Sequence, residues 1–161
     1  MIGIYHGWII WKQGISISQD YKETQKYKRR VIELNKGNME YNNSDIAKFA
    51  DKYIDFFEKE FGRTRESYYR FFDNNDFPND CQEIGFDMDC GQTFIDAYGE
   101  RAWNDIQCLK DNIEKINDIQ IIGNALFSQW RNFNHWSSPS YANEDTKEWF
   151  LVLFRKLKDL C

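Results

Sequence analysis

The stretch Asp118–Trp136, DIQIIGNALFSQWRNFNHW, leaves a folding chain few choices. Ile119, Ile122, Leu126, Trp130 and Phe133 recur at steps of three and four, so a helix gathers them on one face. Ala125, Gln129 and Trp136 widen that face. Gly123 costs roughly 1 kcal/mol of helix propensity against alanine. It signals either another helix passing close or nothing beyond the noise of propensity. Ser137-Ser138-Pro139 stops the pattern, because the residue before a proline is driven out of the helical region. The spacing predicts the central core helix of the fold.

Further apolar stripes flank it. Ile46, Phe49, Ala50, Tyr53, Ile54, Phe57 and Phe61 form one continuous face, with Ser44 as the expected cap and Gly62 as the stop. Thr64 can cap a helix holding Tyr68, Tyr69, Phe71 and Phe72, which breaks in the turn-rich run DNNDFPND at 73–80. Glu83 to Phe86 could be extended, whereas Gly85 and Gly91 argue for a loop, and Thr93 to Tyr98 suits a short helix closed by Gly99. Asn104 is placed to cap a helix through Ile106, Leu109, Ile113 and Ile116. Asn143 or Asp145 begins a last helix that turns Trp149, Phe150, Leu153, Phe154, Leu157 and Leu160 inward. Towards the start, residues 2–11 suit a short buried strand or an irregular apolar cover. A helix from near Ser18 then carries Tyr27, Val31 and Leu34 to a stop at Gly37. Only 2 prolines and 9 glycines punctuate 161 residues, which favours long helices. The expectation is an all-α fold, a single-domain bundle of five to six helices over residues 1–161 with a possible short extended N-terminal segment.

Aromatic residues make up 17% of the chain, so large rings are the expected core material. No apolar run approaches the roughly 20 residues that span a bilayer. MIGIYHGWIIW has neither a basic leading region nor a small-residue cleavage site, and the cytoplasm is the expected compartment. Cys81, Cys90, Cys108 and Cys161 show no C-x-x-C spacing, and His6 and His135 are the only histidines. The cysteines are therefore read as reduced, and neither a metal nor a cofactor is expected.

The net charge of -5 is unevenly spread. Asp73 to Asp118 holds twelve carboxylates against Arg101, Lys110 and Lys115, whereas Lys22 to Lys36 is locally basic. Lys26, Lys28, Arg29 and Arg30, with Tyr27 among them, combine cations and a ring that could grip a phosphate backbone. Arg63, Arg65 and Arg70 could extend that patch. A solvated helix face is the simpler reading, because nucleic-acid binders are usually basic overall.

Arg131 and His135 lie at i and i+4 on one helix face. A guanidinium that binds phosphate and an imidazole that moves protons make a workable pair for cleaving RNA. The pattern resembles the arginine–histidine motif of HEPN-type ribonucleases, also all-helical, in which four to six residues lie between the two; here only three intervene, so the pattern departs by one residue. The plain alternative is a helix surface on which His135 packs locally. Asn124 and Gln129 complete the polar set on this helix and are the residues to inspect for binding. Phe86-Asp87-Met88-Asp89 resembles the start of the haloacid dehalogenase nucleophile motif, but Cys90-Gly91-Gln92 puts Thr93 out of register. Asp73, Asn75, Asp76 and Asp80 miss the calcium-loop pattern, with Phe77 and Pro78 where an oxygen ligand and glycine belong.

GNALFSQWRNFNHW, followed by EWFLVLFRKL, resembles the C-terminal part of a family of small bacterial proteins of unassigned function. The matching positions are Gly123, Asn124, Trp130, Arg131, His135, Trp136, Trp149 and Phe150, over the last third of the chain. That resemblance implies no activity. With few candidates for acid–base chemistry and an acidic middle region, the expected function is non-enzymatic binding of another protein, as an immunity-type or inhibitor-type module. The alternatives are a HEPN-like ribonuclease using Arg131 and His135, and nucleic-acid binding through Lys26–Arg30.

Overall fold

Apolar residues at helical spacing, with few breakers between them, give helices throughout the computed structural model, which describes residues 41–135 and 143–161. Among the described residues there are eight α-helices: α1 (Asn43–Lys59), α2 (Arg65–Asp73), α3 (Asp76–Ile84), α4 (Gln92–Tyr98), α5 (Glu100–Asn104), α6 (Ile106–Asn112), α7 (Ile119–His135) and α8 (Glu144–Asp159). A 3-10 turn, Ile113–Lys115, follows α6, and there is no strand among the described residues. The fold is all-α there. The strand or cover expected at 2–11, the helix from Ser18 and the basic run Lys26–Arg30 lie outside the described residues.

Helix α1 runs antiparallel to α8, and phenylalanine rings hold the pair. Phe57 stacks on Phe150 at 5.2 Å between ring centres, and Phe49 meets Phe154 edge-on at 5.9 Å. Burying each such ring is worth about 1.5–3 kcal/mol. On the outer edge Lys158 pairs with Asp51 at 2.5 Å and Arg155 with Glu58 at 2.8 Å, but exposed pairs contribute only about 0–1 kcal/mol. The rings decide the packing and the charges trim its edge.

Helix α7 is the central element. Every residue from Ile122 to Ser128 is buried, which requires cover on all sides of the helix. That cover comes from α2, α3, α4 and α8. Its C-terminal half also ties down the end of α2, whose last carbonyls have no partner within their own helix. The Trp130 indole N–H donates to the Phe71 carbonyl at 2.8 Å, and the Asn134 amide donates to the Phe72 carbonyl.

Several boundaries differ from the expected ones, for local reasons. The run at 73–80 is not simply a turn, because α3 starts inside it at Asp76. Asn74 Oδ1 accepts the Asp76 N–H at 2.8 Å, and Pro78 sits in the first turn, where no N–H is needed. Phe77, Pro78 and Cys81 are then buried along one side. The segment Glu83–Phe86 is not extended: α3 continues to Ile84, and Gly85 ends it in the left-handed region at φ 94°. The Gly85 N–H reaches the Gln82 carbonyl and the Phe86 N–H reaches the Cys81 carbonyl, which closes the helix and turns Phe86 inward. Asn42 rather than Ser44 caps α1, and Asp105 rather than Asn104 caps α6, accepting from Gln107 N at 2.9 Å. The helix expected to reach Ile116 gives way to the 3-10 turn, yet Ile116 remains fully buried. Thr64 and Asn143 cap as expected, and Asn143 and Thr146 form a reciprocal capping box.

Candidate functional site

The polar residues of α7 lie in one seam. Gln120, Asn124 and Ser128 stand at i, i+4 and i+8, and together they hold the loop Gly85–Gly91 that joins α3 to α4. The Asp87 N–H donates to Asn124 Oδ1 at 2.8 Å. Because that amide is only a donor, it fixes the orientation of the Asn124 side chain. Gln120 Nε2 then donates to the same Oδ1 at 2.7 Å and to the Gly85 carbonyl at 3.2 Å, leaving Gln120 Oε1 buried without a partner. One turn on, the Asp89 N–H donates to Ser128 Oγ at 3.2 Å, and Ser128 Oγ donates to Asp89 Oδ1 at 3.0 Å. The Asp89 carboxylate also accepts from Gly91 N at 3.0 Å, from Thr93 N at 3.1 Å and from the Thr93 hydroxyl. It thereby anchors the first turn of α4.

Packing reinforces the seam. Phe86 is 2% exposed and lies over Gly123, where a Cβ would stand 2.2 Å from its ring. The close neighbour anticipated at Gly123 is thus a loop phenylalanine, not another helix. At the far end Gly91 has φ 76°, and a Cβ there would fall 2.5 Å from the Trp103 ring. Only glycine fits either position without displacing a ring.

While alternate backbone amides are tied down, the side chains of Asp87, Met88 and Cys90 face solvent. Met88, 38% exposed, is the exposed large hydrophobic residue among those described. Cys90 takes φ 59°, a left-handed conformation uncommon outside glycine. None of the four cysteines is in a disulfide, and burial pushes the Cys81 thiol well up. Beside the loop, Tyr41 sits 6.4 Å from Phe86 with its hydroxyl buried and unpartnered. Its pKa is pushed up to about 12, by burial first and then by the charges of Asp118 and Asp87.

Among the residues anticipated as a site, Asn124 is buried and bonded within the seam. Gln129 is half-buried and accepts from Asn132 Nδ2 at 3.3 Å. Arg131 is exposed near the end of α7, and His135 closes that helix with a side chain outside the described atoms. Asp87 and Asp89 belong to a helix-to-helix loop, not to the end of a strand. Asp80 accepts from the Tyr53 hydroxyl and from Lys52 Nζ, both at 2.6 Å, which occupies one of its oxygens with two donors. Ser128, Gln120 and the anchoring role of Asp89 went unread in the sequence. The signal was there as polar residues at i, i+4 and i+8 in a stretch, Ile119–Ser128, that is otherwise apolar.

No protein-family model, curated protein or solved structure matches the chain.

Proposed function

We propose that this chain is a non-enzymatic protein-binding module, of immunity or inhibitor type, whose acidic stretch Asp73–Asp118 meets a basic partner surface. The observation that carries this reading is the outward-facing tip Asp87-Met88 on a loop held by Asn124 and Ser128. A loop already held in one conformation loses little entropy when a partner docks.

Charge supports the same surface. Glu83, Asp87, Glu100 and Asp111 are exposed along this stretch. Of its own three cations, Arg101 pairs within it with Asp105 at 3.9 Å, Lys110 pairs outside it with Glu148 at 3.1 Å, and Lys115 donates to Asn112 at 2.9 Å. Lys52 and Lys156 reach in from α1 and α8 to Asp80 and Glu114. The remaining carboxylates leave a negative field that would speed association with a basic surface and weaken as salt rises.

The test is a paired capture experiment with the full chain and with a variant carrying Glu83→Lys, Asp87→Lys and Asp111→Lys. Circular dichroism would first establish that both are equally helical. The proposal expects a protein partner retained by the natural chain at physiological salt and lost by the variant. Equal retention by both chains would overturn it, as would no retention by either at low salt.

A further inference from the structure

We draw no further inference here: the strongest candidate, the solvent-facing tip of the loop between α3 and α4 formed by Met88 and Cys90, belongs to the surface already proposed, and nothing in the structure shows what covers it.

Discussion

Replacing Gly123 with alanine separates two opposing effects of known size. Alanine gains about 1 kcal/mol of helix propensity over glycine in a helix interior. Its methyl group, however, would stand 2.2 Å from Phe86 Cδ1 and 2.3 Å from Cε1, whereas ordinary contacts begin at 3.4 Å. The ring must therefore retreat by more than about 1 Å, and overpacking of that kind costs about 1–3 kcal/mol. Retreat is hindered because Phe86 is enclosed, with Phe49 5.8 Å away, and because the next residue's amide is bonded to Asn124. The expected net effect of Gly123→Ala is a loss of up to about 2 kcal/mol, or a fall in Tm of up to roughly 8 °C for a chain of this size. Thermal and urea unfolding followed by circular dichroism would measure it. A second background isolates the cause: with Phe86→Leu already present, Gly123→Ala should cost less or become stabilising, because the ring is gone. If Gly123→Ala raises Tm in the natural background, Phe86 does not lie over α7 and the reasoning fails.

Other perturbations test other contacts. Asn124→Ala should cost about 1–3 kcal/mol, because it leaves the Asp87 amide without its acceptor, and denaturant midpoints would show it. Trp149→Phe should cost less than about 1 kcal/mol although Trp149 is 4% exposed, because removing an unpartnered buried Nε1 offsets the lost volume. The Tyr41 hydroxyl, at about 12, and the Tyr53 hydroxyl, raised by burial and then by its bond to Asp80, both ionise later in the folded chain than in the unfolded one. Stability should therefore be full below pH ~10 and fall as pH climbs towards 12, with a shallower fall in Tyr41→Phe. Purified protein should leave RNA uncut; cleavage that disappears in His135→Ala would favour the enzyme reading instead.

The long helices were legible in the sequence because their burial repeats with the helical period. The stripe from Ile46 to Phe57 and the run from Trp149 to Leu157 both face the core as their spacing implies. Burial of α7 on nearly every side was half legible: the apolar face was plain, but its polar seam looked like surface. Asn124 and Ser128 are buried because a loop thirty-seven to thirty-nine residues away supplies their partners, and no local pattern encodes that distance. Helix α3 was hidden for a related reason. Asn74, Asp76 and Pro78 favour turns and helix starts alike, and only burial of Phe77 and Cys81 decides between the two. The candidate surface was legible as charge, through the twelve carboxylates of Asp73–Asp118, while the rigidity of the loop within it was not.

Amide hydrogen exchange across residues 85–91 tests most directly whether α7 holds this loop in a single conformation. The Asp87 and Asp89 amides donate to Asn124 Oδ1 and Ser128 Oγ, so they should exchange slowly although the loop faces solvent. The amides of Met88 and Cys90, between and beyond them, should exchange fast. An alternating slow–fast–slow–fast pattern is the predicted result. Uniformly fast exchange at all four positions would contradict the account, and with it the preformed surface on which the proposed function rests.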